Sequence, residues 1–341
     1  MNVEESTLKK AIPFMWAYPL IAGVVGGILL RFIFSGRPGG AWSAMAGAFI
    51  YMSPILVGAI TVYVAETQKR RSWGYYIWAP FVANCLYVLG TLLILIEGLI
   101  CAVIIIPMFA LLGSLGGLAM GAVCRATNWP KQTLYSLAAI PLLLGAIGDQ
   151  LPNPELLNSV QRSTVVHAAP EQVWAHLNRA VDIQPAEFGA TWAARIGVPM
   201  PLSGVTEMTN EGLVRKSLWN KAVHFDEPIS DWQPNRYLRW SYRFFADSFP
   251  PHALDDHVMI GGHYFDLKDT SFTLTPVAGG TRLDIQAHYR VSTQFNFYAD
   301  RVAQLLLGNM METGLQFYKN RSEAPIALPR TIEPQQTKPT T

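Results

Sequence analysis

The first 150 residues form long apolar runs that are separated by short polar breaks. A bilayer span needs about 20 consecutive apolar residues, and the run from Trp73 to Cys124 is much longer, with Glu97 and Gly98 as its polar break. As a single helix this run would be roughly 75 Å long, so it must fold back at that break. The pattern therefore predicts a transmembrane domain over residues 12–150 with about five spans. The predicted spans are 12–34, 42–65, 75–96, 99–123 and 133–149.

In the second half of the chain, apolar and polar residues alternate with a period of two. The residues from Tyr237 to Phe245 and from Thr281 to Val291 show this most clearly, and Gly279 and Gly280 predict a hairpin turn. Such alternation indicates strands of an antiparallel sheet with two unlike faces. The predicted strands are 161–166, 205–208, 213–219, 222–232, 237–245, 270–276 and 281–291.

Helices are predicted after the first strand and after the last strand. Pro170 and Glu171 favour a helix start directly after the first strand. Short helices are predicted within 181–200, where Pro185 and Pro199 interrupt the chain, and a long helix is predicted from Phe297 to Arg321. The proline-rich segment 324–341 is predicted to be disordered.

The charged residues divide the chain in the same way. They make up 15% of the 341 residues, against about 25% in typical soluble domains. Residues 1–150 hold 14 of them, and the remaining 191 residues hold 36. The composition excludes a disordered chain, and three Cys exclude a disulfide scaffold. The net charge of +2 disfavours a nucleic-acid partner.

The basic residues of the short connecting segments predict an orientation. Cytoplasmic loops carry an excess of Lys and Arg. One end of the predicted bundle has only Arg31 and Arg37, and the other end has Lys9, Lys10, Lys69, Arg70, Arg71, Arg125 and Lys131. Residues 1–11 are therefore expected in the cytoplasm, and five spans would place residues 151–323 in the periplasm of an inner-membrane protein. Without a span at 133–149 this domain would be cytoplasmic.

Glycine pairs at a spacing of four recur in the apolar half. Gly23 and Gly27 form one such pair, and Gly113, Gly117 and Gly121 form two more. This spacing lets helix backbones approach closely in lipid and favours helix packing within the chain. The alternative is a pair of half-repeats around a transport site. Glu97 is expected in the outer turn between two spans, although a buried acid at membrane depth is also a functional candidate.

The second half resembles the helix-grip superfamily that includes START lipid-transfer domains and polyketide cyclase-like proteins (SRPBCC). The similarity is carried by STVVHAAPEQVWAHL (163–177), VHFDEPISDWQPNRYLRWSYRF (223–244), GGTRLDIQAHYRV (279–291) and FYADRVAQLLLGNMMETGLQFYKNRSE (297–323), in that order. It covers about 160–323 and none of the membrane half. The expected architecture is therefore a multi-span α-helical membrane bundle followed by an α+β helix-grip domain at 151–323. In that domain a curved antiparallel sheet surrounds a long C-terminal helix.

The resemblance implies a ligand cavity between the sheet and the long helix. The alternative is that the same inward-facing residues pack a solid core. The candidate cavity residues are Leu238, Trp240, Tyr242, Phe244, Val302, Leu306, Met310, Thr313 and Phe317. The pairs Pro250-Pro251 and Gly261-Gly262 mark a polar loop, which is a candidate gate at the cavity mouth. Its candidate residues are His252, Asp255, Asp256, His257 and His263.

These observations predict a membrane-anchored binding protein whose partners are the bilayer and a lipid or other hydrophobic small molecule. No metal site, cofactor or catalytic residue is predicted, since the polar loop has no metal-ligand spacing and the second half has no Cys and no G-x-S-x-G. One alternative is a cyclase- or dehydrase-like enzyme that uses a pair such as His224 and Asp226. Another is a sensor or assembly protein of the membrane.

Overall fold

The fold is a helical bundle followed by a curled antiparallel sheet that wraps a long C-terminal helix. A computed structural model describes residues 17–127, 153–189, 191–255, 257 and 259–324. The predicted helix-grip architecture is confirmed by this arrangement. The predicted cytoplasmic segment 1–11, the predicted span 133–149 and the predicted tail beyond Ala324 lie outside the described residues.

Four helices make up the described part of the bundle. They are α1 (Tyr18–Ile33), α2 (Gly47–Gln68), α3 (Trp73–Leu93) and α4 (Leu99–Ala126). Within the described residues, three of them, α2 to α4, are long and apolar enough to cross a membrane, and α1 is a shorter apolar helix. The fold-back predicted at Glu97 is observed, because residues 94–98 form the turn between α3 and α4.

Glycine sets the spacing of these helices. A Cβ atom added at Gly58 of α2 would lie 2.0 Å from the backbone oxygen of Gly113 in α4, and one at Gly117 would lie 2.4 Å from the backbone oxygen of Tyr76 in α3. Backbones at such distances have no room for a side chain. The glycine pairs therefore serve helix packing within the chain, as their spacing indicates.

The second half begins with a strand and a helix, and the sheet follows. Its helical elements are α5 (Pro170–Asn178), a 3₁₀ turn (Pro185–Phe188), α6 (Trp192–Arg195) and the long α7 (Asn296–Glu323). Its strands are β1 (Glu155–Val166), β2 (Arg179–Ala180), β3 (Pro201–Thr209), β4 (Gly212–Trp219), β5 (His224–Gln233), β6 (Tyr237–Ser241), β7 (Phe265–Val277) and β8 (Gly280–Ser292). They form one sheet in the order β1-β8-β7-β6-β5-β4-β3-β2 with antiparallel neighbours.

Strand β6 is shorter than the alternation predicts. It pairs with β7 only as far as Ser241, which lies opposite Asp269. The chain then leaves β7, and Arg243 exchanges two backbone hydrogen bonds with Asp226 of β5 instead. The sheet therefore opens between β6 and β7 at this point. The next aromatic side chains, Tyr242 and Phe244, lie beside this opening.

The two halves contact each other at one end of the bundle. Asp255 accepts a hydrogen bond from the backbone N–H of Cys101, at the start of α4. At the other end of the bundle, Arg125 donates to the backbone oxygen of Arg71. The described bundle therefore ends, at residue 127, on the side that carries the basic residues 69–71. Asn153 begins the second half on the opposite side, within reach of His263.

Candidate functional site

A cavity of about 300 Å³ lies between the bundle and the helix-grip domain. Its bundle wall consists of Arg31, Ala44, Met45, Phe49, Ile50, Tyr87, Val88, Thr91, Glu97, Ile100, Cys101, Ile104, Ile105 and Phe109. The wall from the other half is made by residues of β4, β5, β7, β8, α7 and the loops between them. Most of the lining side chains are apolar, and the volume is at the lower end of the range for small-molecule pockets.

Five of the nine predicted cavity residues line this space. They are Tyr242, Phe244, Val302, Leu306 and Met310. The first two follow the end of β6, where the chain has left β7. The other three lie on the N-terminal half of α7, so the cavity occupies the part of the grip that faces the bundle.

The other four predicted residues lie in the core instead, which corrects the expectation for them. Leu238, Trp240 and Phe317 are at most 5% exposed and belong to one hydrophobic cluster. Thr313 is buried too, and its hydroxyl donates to the backbone oxygen of Asn309. Helix α5 and the 3₁₀ turn cover this end of the grip, and Phe188 stacks on Phe317 with ring centroids 5.1 Å apart. This closure leaves the two sides of the grip with different roles, one a solid core and one a cavity.

The predicted gating loop lies against the bundle. Asp255 contacts the start of α4, and His257 lines the cavity. His263 is exposed and lies 3.4 Å from the Asn153 amide, whereas His252 is exposed and has a positive φ of 66°. Asp256 lies outside the described residues. The loop thus joins the two halves of the chain in addition to bordering the cavity.

The contact surface between the halves, here called the seam, consists of bundle residues 34–51 and 94–104 and domain residues 255, 257, 259–264 and 293–299. The buried hydroxyl of Tyr264 lies 2.7 Å from Oγ of Ser43 and accepts a hydrogen bond from the backbone N–H of Gly39. Gln294 accepts hydrogen bonds from Gly47 and Tyr51 at the start of α2. The domain is therefore attached to the bundle by specific polar contacts.

A charged cluster lies in the bundle wall of the cavity. Nε of Arg31 donates to Oε1 of Glu97 over 2.5 Å, and Nε2 of His257 lies 3.6 Å from Oε2. The side chains of Arg31 and Glu97 are only 8% and 15% exposed. Burial by itself would raise the pKa of Glu97. The contacts with His257 and Arg31 outweigh burial and lower the pKa below its usual value.

Two polar atoms of this cluster remain without a partner. Arg31 uses Nη1 to donate to the backbone oxygen of Phe34, and Nη2 has no hydrogen-bond partner among the described residues. Nδ1 of His257 is buried and has no partner. The cluster therefore has hydrogen-bonding capacity that the described protein residues do not use.

A second charged pair borders the cavity from the sheet. Arg215 and Ser217 both donate to Oε2 of Glu227 over 2.7 Å, and Arg215 also donates to the hydroxyl of Tyr318. Glu227 lines the cavity and is 4% exposed. Nearby, burial raises the pKa of Tyr242, whose hydroxyl lies 2.7 Å from Oγ1 of Thr270. The polar atoms of these groups are hydrogen-bonded to one another, so this wall of the cavity is polar but its hydrogen-bonding groups are already paired.

The acid–base pair considered from the sequence is not in the cavity. His224 is partly exposed, faces Asp247 at 3.5 Å and is absent from the lining, as is Asp226. Glu97 and His257 form an ionisable pair that does line the cavity. Among the described residues, no group of three or more His, Cys, Asp or Glu could hold a metal ion.

Apart from Glu97, which was an alternative functional candidate, the bundle residues of the lining were not predicted from the sequence. The contacts that build this wall join residues far apart in the sequence. Arg31 and Glu97 are 66 positions apart, and Ser43 and Tyr264 are 221 positions apart. The available signals were the position of Arg31 near the end of an apolar run and of Glu97 as the one acid within the longest run. Both signals mark unusual residues, but neither shows that they meet.

Neither a protein-family model nor a curated protein matches the chain. Among solved structures, the di-domain ARO/CYC BexL from the BE-7585A biosynthetic pathway is similar at 16% identity, over 62% of this chain and 62% of that chain, with a TM-score of 0.33. The di-domain ARO/CYC StfQ from the steffimycin biosynthetic pathway is similar at 11% identity, over 55% of this chain and 60% of that chain, with a TM-score of 0.31. Protein MLL2253 from Mesorhizobium loti is similar at 17% identity, over 49% of this chain and 100% of that chain, with a TM-score of 0.29. The chain thus spans less than two thirds of either ARO/CYC protein. At these TM-scores the similarity carries no argument about function.

Proposed function

We propose that this chain is a membrane-anchored protein that binds a lipid or another hydrophobic small molecule in the cavity at the seam. The observation that carries the proposal is the cavity itself, which is about 300 Å³ in volume and lined mainly by apolar side chains from both halves. Each Å² of apolar ligand surface that moves from water into this cavity stabilises the complex by about 25 cal/mol. Binding is non-covalent and needs no cofactor.

The apolar helices anchor the protein in a membrane, which is the source of the ligand. The helix-grip domain lies at the end of the bundle opposite the basic residues 69–71 and Arg125. Because cytoplasmic loops carry the basic excess, this domain is on the non-cytoplasmic side. In a cell with two membranes, this location is the periplasmic face of the inner membrane.

The ligand enters by a local separation at the seam. Phe295 packs in the hydrophobic cluster of the bundle, and Tyr298 donates to the backbone oxygen of Ile104 inside α4. The first turn of α7 is thus held at the depth of the second turn of α4. Loss of these contacts would expose the cavity at the level where the bundle meets the bilayer surface.

Native mass spectrometry of the full-length protein in detergent micelles tests this function. The protein should carry a co-purified apolar molecule or take up an added one at one copy per chain. Failure of the folded protein to retain any apolar compound would contradict the proposal. The full chain is required because the bundle supplies a whole wall of the cavity.

One observation favours a second function. The contact between His257 and Glu97 places an ionisable pair in the cavity wall, as acid–base catalysis on a bound ligand would require. A cyclase- or dehydrase-like activity would predict chemical change of the bound molecule over time. Recovery of the same molecule from the wild-type protein and from a His257→Gln variant after long incubation would contradict it.

A further inference from the structure

We infer that Arg31, Glu97 and His257 form a head-group site, and that the ligand is an amphiphile with one oxyanion, a carboxylate or a phosphoryl group, on an apolar chain. This inference rests on the proposed function and specifies its ligand. The site lies beside the seam, and two of its residues come from the bundle and one from the helix-grip domain.

The first step concerns the donors of Arg31. A guanidinium has five N–H donors and no acceptor, and it stays charged in proteins. Nε–H is used by Glu97 and one Nη1–H by the backbone of Phe34. Arg31 is only 6% exposed and lines the cavity, and no described residue accepts a hydrogen bond from its Nη2 donors. An acceptor delivered into the cavity would satisfy them.

The second step concerns the sign of the group. Both oxygens of Glu97 are engaged, Oε1 by Arg31 and Oε2 by the nearby Nε2 of His257. The capacity left in the cluster is therefore dominated by N–H donors. Planar guanidinium matches carboxylate and phosphoryl oxygens with two parallel hydrogen bonds, and these charge-assisted bonds are stronger than neutral ones. A ligand hydroxyl would gain less, and an ammonium has no acceptor to offer these donors.

The third step places the chain of the ligand. Beyond the cluster, the lining continues along α7 with Val302, Leu306 and Met310 and is apolar. An amphiphile bound by its oxyanion at Arg31 would lay its chain along this helix. The bundle then selects the head group, and the helix-grip domain holds the apolar part.

A competition experiment on the full-length protein tests this inference. The protein in detergent micelles is mixed with equimolar dodecanoic acid, dodecyl phosphate, 1-dodecanol and dodecylamine, and the bound masses are compared by native mass spectrometry. We expect the acid or the phosphate to exceed the alcohol by about tenfold, as one charge-assisted hydrogen bond allows. The two oxyanion probes distinguish a free fatty acid from a phosphate-bearing lipid as the source.

Two variants separate the head-group site from the cavity. The double variant Arg31→Met with Glu97→Met removes the buried pair together, which avoids an uncompensated charge. It should lose the oxyanion preference, so that dodecanoic acid and 1-dodecanol bind to a similar extent. Arg31→Lys keeps the positive charge but removes the planar guanidinium that makes two parallel hydrogen bonds. It should reduce the preference for the oxyanion several-fold. The exposed pair Arg162 and Glu312, changed to Met in the same way, is the control and should keep it.

Equal binding of the acid and the alcohol by the wild type would overturn the inference and leave the proposed function intact. A preference that survives in the double variant would overturn it too. If none of the four compounds binds to the folded wild-type protein, both the head-group site and the proposed function fail.

Discussion

The hydroxyl of Tyr264, in the helix-grip domain, lies 2.7 Å from Oγ of Ser43 in the segment that joins the first two bundle helices. The same hydroxyl accepts a hydrogen bond from Gly39 over 2.6 Å, and Tyr264 is 3% exposed. A single buried side chain thus connects the two halves at the edge of the cavity. Contacts of this kind give the cavity its second wall.

Removal of that hydroxyl should loosen the seam. In Tyr264→Phe the groups of Ser43 and Gly39 lose a buried partner, which costs about 1–3 kcal/mol. We expect faster amide hydrogen exchange in residues 34–46 and little change in β7 and β8. The matched control is Tyr237→Phe, whose hydroxyl makes no hydrogen bond among the described residues. Unchanged exchange at 34–46 in Tyr264→Phe would show that this contact does not hold the halves together.

The close approach of α2 and α4 makes a specific demand at Gly58. A methyl group there would meet the backbone oxygen of Gly113 at 2.0 Å, so Gly58→Ala should separate the helices and lower the thermal stability of the bundle by several degrees. Gly90→Ala is the control, because its nearest neighbour is the flexible end of Ile28 at 3.4 Å. There the better helix propensity of Ala should leave stability unchanged or raise it. Equal effects of the two variants would contradict this packing.

The ion pair between Glu187 and Arg321 gives the domain an acid-dependent contribution to stability. Arg321 donates to both carboxylate oxygens over 2.7 and 2.9 Å, and this hydrogen bonding lowers the pKa of Glu187 below its ordinary value of 4.5. A lowered folded-state pKa means that the contribution is present above 4.5 and is lost as the pH falls through the lowered value.

Thermal unfolding of Glu187→Gln and wild type across this pH range checks the sign. The wild type should be more stable at neutral pH, and the difference should shrink as the pH falls below 4.5. Glu171→Gln, at an exposed position in the first turn of α5, is the control and should show a smaller dependence on pH. A difference that grows towards acid pH would contradict the assignment.

The proposed orientation of the protein rests on the opposite placement of the domain and the basic loop. Met208, on β3, is 75% exposed, and Arg70 is exposed between α2 and α3. In intact cells, a membrane-impermeant maleimide should label Met208→Cys and leave Arg70→Cys unlabelled until the cells are opened. Wild-type protein, with its three native Cys, sets the background. Labelling of Arg70→Cys alone in intact cells would place the domain in the cytoplasm.

Local patterns account for most of the elements. The alternation from Thr281 to Val291 predicts β8, and the apolar run that starts at Leu99 predicts α4 to within three residues of its end. The cavity was harder to predict, because Leu238 and Trp240 show the same alternation as Tyr242 and Phe244.

What separates those two pairs is a non-local event. Leu238 and Trp240 remain between β5 and β7 and become core, whereas the chain after Ser241 pairs with Asp226 and leaves a space that the bundle closes. A pattern along one strand does not encode which neighbour the strand keeps. The meeting of Arg31 with Glu97 and His257 depends in the same way on how whole helices pack.

The cavity at the seam is the central feature of this account, and a pair of adjacent residues on α7 tests it most directly. Leu306 lines the cavity, whereas Leu305 points outward and is 65% exposed. In native mass spectra of the full-length protein, Leu306→Trp should fill the cavity and reduce the bound apolar ligand at least tenfold, and Leu305→Trp should bind as the wild type does. Undiminished ligand on Leu306→Trp, with the protein folded, would contradict the claim that this cavity is the binding site.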